Sequence, residues 1–383
     1  MFRGAVRIAS VGFLVVWLFW MDVCLYYHIR TLKCNYNNDT NTVSHLYKAG
    51  SRLTFGPGTG TGNKDKTSIT SGRLKPIYAT INELPSLVSY HHHDDDKRAR
   101  WLLGMFSFAF RGMSVKLIMS DPVDNYLMGP LTDAFGDLCN FRVNFQFVSA
   151  NMISFAGLLS ALVAAKLVAR QNSPTSHKLA FIFFQLRTWL DCLDGVVARS
   201  RLGITNHVSL QNTFGYLVDG VCDTLGFAAF IWGIYIYLKH WHFISYLQIP
   251  KQEESSRTET APRPSHRRLL VLIALFSIQL ALCAAGWNKY ILEYNKLLGS
   301  PSTSHFEAES KLKILKSNIM FIIVWFWRLT NGHSWMQFLA ISVLMGKIWH
   351  FLEFIKFIGL VEIIILVTVT QLHTIDVKNF LTI

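Results

Sequence analysis

The chain has 383 residues, a formal charge of +13, 51% hydrophobic residues and only 16% charged ones. Its apolar residues arrive in blocks near the ~20 needed to cross a bilayer, which excludes a soluble globular protein and predicts an all-α polytopic membrane protein. The cations are scattered through loops beside those blocks rather than gathered into a basic, aromatic-rich surface, so membrane lipids are expected partners and nucleic acid is not.

Taken in chain order, spans are expected at 8–27, 147–170, 178–198, 212–238, 268–289, 334–351 and 355–372. Arg3 and Arg7 precede the first span, Arg170 and Lys178 bracket one connection, and Lys239, Lys251, Arg257, Arg263, Arg267 and Arg268 crowd another. Placing all three groups in the cytosol satisfies one alternating threading. Under it, 1–27 is an uncleaved signal anchor, 28–146 a lumenal segment, 147–372 the membrane core and 373–383 a short lumenal tail. Asn318–Arg328 reads either as an interfacial helix or as part of a span.

Within the lumenal segment, the glycine-rich run Gly56–Gly62 lacks the Gly-Lys-Ser/Thr ending of a phosphate loop and reads as a flexible linker. The contiguous His91–Asp96 run cannot aim every side chain at one ion and reads as a solvated turn. Arg98 to Lys116 alternates cationic and large apolar residues, as an interfacial helix or a packed helix of a small lumenal subdomain would. Cys34 and Cys139 both fall in the oxidising compartment, where a disulfide is open to them, and Asn38-Asp39-Thr40 is an N-glycosylation acceptor pattern.

The chemistry concentrates in Asp191-Cys-Leu-Asp194-Gly195-Val-Val-Ala198-Arg199 and Gly215-Tyr-Leu-Val-Asp219-Gly-Val-Cys-Asp223. Each of the four carboxylates costs roughly 2.5–3.5 kcal/mol to place in an apolar helix, so positive charge must sit among them. Asp191, Asp194, Gly195 and Ala198 form one stripe in steps of three and four, and Gly215, Asp219 and Asp223 form another in steps of four. Two such stripes face to face make an acidic cage over a floor with little side-chain bulk. Carboxylates without Cys or His suit Mg²⁺ or Mn²⁺, and four of them suit two ions. Arg199 is a natural phosphate clamp. Asn151 and Ser154 lie at the same end and read either as phosphate contacts or as helix caps. Arg328, Asn331 and His333 are near that end without a motif, as interfacial anchors often are. Cys192 and Cys222 lack zinc-site spacing and read as packing thiols.

These residues place every fixed position of the signature D-x-x-D-G-x-x-A-R…G-x-x-x-D-x-x-x-D, which the CDP-alcohol phosphatidyltransferase family carries, and the chain resembles that family over about 147–372. The resemblance implies a six-helix CDP-alcohol phosphotransferase core behind the anchor. It also implies Asp191, Asp194 and Asp219 as principal metal ligands and Asp223 as general base, with Asp223 counted in the metal set too and Asp219 and Arg199 among the catalytic residues. Gly195, Ala198, Arg199, Gly215, Asn151 and Ser154 would hold the cofactor-like nucleotide. Two departures stand out: the spacer Ser200–Phe214 is longer than usual, and Ala150 replaces the proline that usually precedes Asn151. The long spacer with Asn212, together with the anchor, resembles the insect-type ceramide phosphoethanolamine synthases. That likeness implies CDP-ethanolamine as donor, ceramide as acceptor, manganese at least as effective as magnesium, a lumenal site in the Golgi and a homodimer. The alternatives are an ethanolamine- or cholinephosphotransferase acting on diacylglycerol and, outside enzymes, a divalent-cation channel or carrier using the aspartates as a permeation ring.

Overall fold

The computed structural model of the chain describes residues 2–32, 115–139, 145, 147–170, 174–201, 213–247, 266–300, 302 and 304–381. Among these residues the secondary structure is helical: α1 (Phe2–Thr31), α2 (Val115–Met119), a π-helical turn (Asp124–Met128) running into α3 (Gly129–Leu138), α4 (Ala150–Ala169), α5 (Pro174–Arg201) and α6 (Phe214–Leu247). The chain continues through α7 (His266–Leu298), α8 (His305–Leu315), α9 (Asn318–Leu329), α10 (Gly332–Met345) and α11 (Ile348–Phe380). Four stretches are long and apolar enough to cross a membrane: Ala9–Thr31, Ala150–Ala169, Phe214–His240 and His266–Leu298. Large side chains such as Phe13, Val16, Leu159, Trp232 and Ile364 point outward, as lipid-facing residues do. The chain is an all-α, multi-pass membrane protein.

The expected span at 178–198 falls within the continuous helix α5, which carries Arg187, Asp191 and Asp194 and is not among those four stretches. Charges in an apolar helix mark a functional interior. The last two expected spans divide elsewhere than anticipated. Gly346, with φ of 66°, ends α10, and α11 then runs unbroken from Ile348 to Phe380, taking in much of the expected tail. Asn318–Leu329 is a separate apolar helix of 12 residues, about 18 Å long and therefore too short to span the ~30 Å hydrocarbon core. Ser317 and Asn331 cap α9 and α10, and so break what would otherwise be one apolar run.

Two apolar clusters hold the bundle. The first joins Met21, Leu25 and Ile29 of α1 to Val115–Met119 of α2 and to α7, α9 and α11; the second joins α4, α5, α6, α7, α10 and α11. α1 is therefore packed into the core. Its Asp22 is buried, accepts from Tyr126 at 2.7 Å and Trp325 at 3.0 Å, and pairs with Arg328 at 3.0 Å. Arg328 is fully buried and donates to the Ile118 carbonyl, so it locks α1, α2 and α9 together rather than sitting at the interface. Packing of α2 into the first cluster bears on the expected helix at 98–116: its described end at 115–116 lies in a packed helix. The glycine-rich run, the histidine–aspartate run, Asn38 and Cys34 lie outside the described residues, so no Cys34–Cys139 pairing is described.

α4 packs against both α5 and α6. Ser160 donates to the Phe183 carbonyl at 2.8 Å across the first of these contacts. At the second, a Cβ on Gly233 would lie 2.4 Å from the Ala165 carbonyl oxygen. Small residues at membrane helix contacts permit such close backbone approach. Gly233→Ala is expected to cost roughly 1–3 kcal/mol by forcing these backbones apart, whereas Gly12→Ala enters open space. Melting in detergent checks this: a lowered midpoint is expected for Gly233→Ala alone, and equal midpoints would refute the contact.

Candidate active site

α5 and α6 carry the two acidic stripes, and α4 supports both from behind. Asp191, Asp194 and Asp219 bring one carboxylate oxygen each within 4.8 Å of one another. Asp194 is buried and accepts from Ser154 Oγ at 2.5 Å. Asp219 keeps a buried oxygen, Oδ1, without a partner. Three hard oxygen donors, one of them orphaned in a buried setting, fit a divalent cation and would otherwise repel.

Asp223 lies beside this trio and forms a second cluster with Asp191 and His333, their ligand atoms again within 4.8 Å. Its Oδ1 is taken by Arg187, while Oδ2 lies 3.8 Å from His333 Nε2. Arg187 sits one turn before Asp191 on α5 and lays its guanidinium 4.3 Å over the Phe227 ring. Much of the positive charge demanded by the buried aspartates is supplied here, rather than by Arg199 alone.

His333 reaches this point because α10 is tied to α5. Asn331 Oδ1 accepts from the Ser334 amide at 2.8 Å and starts the helix. Gln337, one turn past His333, donates to Thr188 at 3.1 Å and accepts from Gln185 at 2.6 Å. The imidazole then touches three carboxylates: Nδ1 is 3.2 Å from Asp124 and 3.6 Å from Asp191, and Nε2 faces Asp223. The expectation of interfacial anchors at Asn331 and His333 is corrected accordingly: one caps a buried helix start and the other enters the site.

A further pair of carboxylates joins from the segment before α3. Asp121 accepts from the amides of Val123 and Asp124 at 3.0 and 2.9 Å, starting the π-helical turn. Asp121, Asp124 and His333 again bring their ligand atoms within 4.8 Å. Burial first, and the Asp124 carboxylate second, raise Asp121 well above the usual carboxylate range. Lys116 on α2 lies within electrostatic reach of Arg199, Asp191 and Asp219, and burial lowers its ammonium below the ordinary lysine value.

The remaining expected residues fall as follows. Arg199 folds back so that its Nη1 is 3.0 Å from where a Cβ on Gly195 would sit; the glycine thus seats the guanidinium, and Ala198 is half-buried beside it. Asn151 Oδ1 is 3.6 Å from the corresponding point on Gly215, placing it over the floor of the second stripe. The cap of α4 is Ser149, which accepts from the Met152 amide at 3.2 Å, so neither Asn151 nor Ser154 is spent on capping. Cys192 and Cys222 carry no metal cluster among the described residues.

Comparison with known proteins decides the lineage. The family model described as ceramide phosphoethanolamine synthase matches residues 5–382, nearly the whole chain. The chain belongs to the ceramide phosphoethanolamine synthase family. A curated Drosophila melanogaster protein named ceramide phosphoethanolamine synthase is 32% identical over 274 residues, covering 70% of this chain and 69% of that protein. No solved structure matches. Membership in the synthase family makes the chain an enzyme, a transferase.

Proposed function

We propose that the protein transfers phosphoethanolamine from CDP-ethanolamine to the primary hydroxyl of ceramide, giving ceramide phosphoethanolamine and CMP. The observation that supports this reading is the convergence of Asp191, Asp194 and Asp219 beside an Asp223 that Arg187 binds, within a chain of the synthase family. Divalent ions, two Mn²⁺ or Mg²⁺ in our reading, would be held by Asp191, Asp194 and Asp219, and would neutralise pyrophosphate charge and make CMP a good leaving group.

The chain's own residues do the rest. Arg187 fixes Asp223 through Oδ1, which leaves Oδ2 to accept the proton of the ceramide hydroxyl. As that oxygen forms its bond to the phosphorus bearing ethanolamine, the bond from that phosphorus to the bridging oxygen breaks and CMP departs. Arg199 and Lys116 are cations placed to bind phosphate, and Asn151 and Gly215 line the nucleotide's approach. Detergent-purified protein should release CMP from CDP-ethanolamine only when a lipid acceptor is present; acceptor-independent passage of divalent ions without CMP release would instead support a channel or carrier.

Our reading also places the site on the lumenal side of the Golgi. The anchor adds one crossing before the core, and the cations of three loops agree with the resulting orientation. A cysteine at Ser209, in a background without the native ones, should resist an impermeant thiol reagent in sealed right-side-out Golgi vesicles and react after permeabilisation. Labelling of sealed vesicles, with a Ser255→Cys probe protected, would invert the threading and weaken the preference for ceramide over diacylglycerol.

A further inference from the structure

We infer that Asp121, Asp124 and Asn125 form the pocket for the donor's primary ammonium and thereby set its head-group preference. This inference rests on the donor being a CDP-alcohol and deepens that reading. Asp121 is 3% exposed and Asn125 6% exposed, and neither amide atom of Asn125 has a hydrogen-bond partner. Asp124 likewise keeps Oδ1 buried and unpartnered. Asn125 follows Asp121 by one turn, its backbone amide donating to the Asp121 carbonyl at 3.0 Å, so the two side chains share a face. Buried polar atoms are nearly always satisfied, and the orphaned oxygens of Asp124 and Asn125, in one short segment with the buried Asp121, call for a ligand that is cationic and rich in donors.

The position suits the head of the donor. His333 Nδ1 lies 3.2 Å from Asp124 and 3.6 Å from Asp191, so one ring nitrogen meets both carboxylates and the pocket adjoins the aspartates that would hold the pyrophosphate's metal ions. Ethanolamine's nitrogen is separated from its phosphate by two methylene groups, a short reach from one cluster to the next. A primary ammonium has three N–H groups, and Asp124 Oδ1, the Asp121 carboxylate and Asn125 Oδ1 can receive them. A trimethylammonium has none and is recognised by aromatic faces. Phe227, the ring that meets His333 edge-on at 5.6 Å, already has its face covered by Arg187. The pocket therefore discriminates against choline through carboxylate and amide acceptors that choline would leave unpaired.

Full-length Asp124→Asn and Asn125→Ala, purified in detergent with Mn²⁺, should be assayed with CDP-ethanolamine and with CDP-choline against one lipid acceptor. The ratio of kcat/KM for the two donors is expected to fall about tenfold or more in each variant, mostly through KM for CDP-ethanolamine. Thermal stabilisation by CDP verifies that each variant is folded, and the milder Asn125→Ala provides the test if Asp124→Asn is not. Equal slowing with both donors would overturn the pocket, as would a raised Mn²⁺ requirement with the donor ratio unchanged, which would make the cluster a metal site. Wild-type protein that consumes neither donor would overturn the underlying CDP-alcohol reading instead.

Discussion

Alanine at Asp191, Asp194 or Asp219 is expected to abolish turnover while the protein still inserts and folds. The three oxygens lie within 4.8 Å of one another, so each substitution removes one of the few donors a hard cation has there, and it also relieves like-charge repulsion within the cluster. Loss of function should therefore come without loss of stability, and the apoprotein of these variants should melt at or above the wild-type apoprotein. Metal-stripped wild type in excess EDTA should be inactive and recover with Mn²⁺. Full turnover in EDTA, or an active Asp194→Ala protein, would remove the metal centre from the account.

Asp223→Asn should behave differently. It keeps the side chain's shape and its place beside Arg187 but cannot take a proton, so kcat is expected to fall by roughly 10²–10⁴, the range that general-base groups contribute. KM for the donor should change little, because the trio and the cations at the phosphates are untouched. The variant should still bind CDP, whereas Asp191→Ala should bind it poorly. A large rise in KM with kcat preserved would show that Asp223 serves chiefly as a ligand.

The division between these two roles marks the limit of what the sequence made legible. Spacing alone put Asp191, Asp194, Asp219 and Asp223 on facing stripes, and the apolar blocks anticipated α1, α4, α6 and α7, though α6 and α7 each run nine residues past the expected end, to Leu247 and Leu298 rather than 238 and 289. Spacing left the roles open because a metal-bound carboxylate and a base look alike in a string of residues; the structure adds that Arg187 binds Asp223. Arg187 was within sight, one turn before Asp191 in an apolar helix, where a lone guanidinium requires a buried partner. His333, Asp121 and Asp124 were not, since they reach the site from distant segments through caps and the Gln337–Thr188 contact. Arg328 misled for a related reason: its partner, Asp22, is 306 positions away by chain order, on the anchor. The break between α10 and α11 depended on Gly346 taking a left-handed conformation in a run that hydropathy alone does not divide.

The central claim, that this acidic site joins phosphoethanolamine to ceramide, is tested most directly by identifying the product. Purified protein with Mn²⁺ should be offered ceramide and diacylglycerol together, along with CDP-ethanolamine and CDP-choline, and the lipids resolved by mass spectrometry. Ceramide phosphoethanolamine as the dominant product, formed in step with CMP and missing with Asp194→Ala, is the result this account requires; phosphatidylethanolamine or phosphatidylcholine in its place would contradict it.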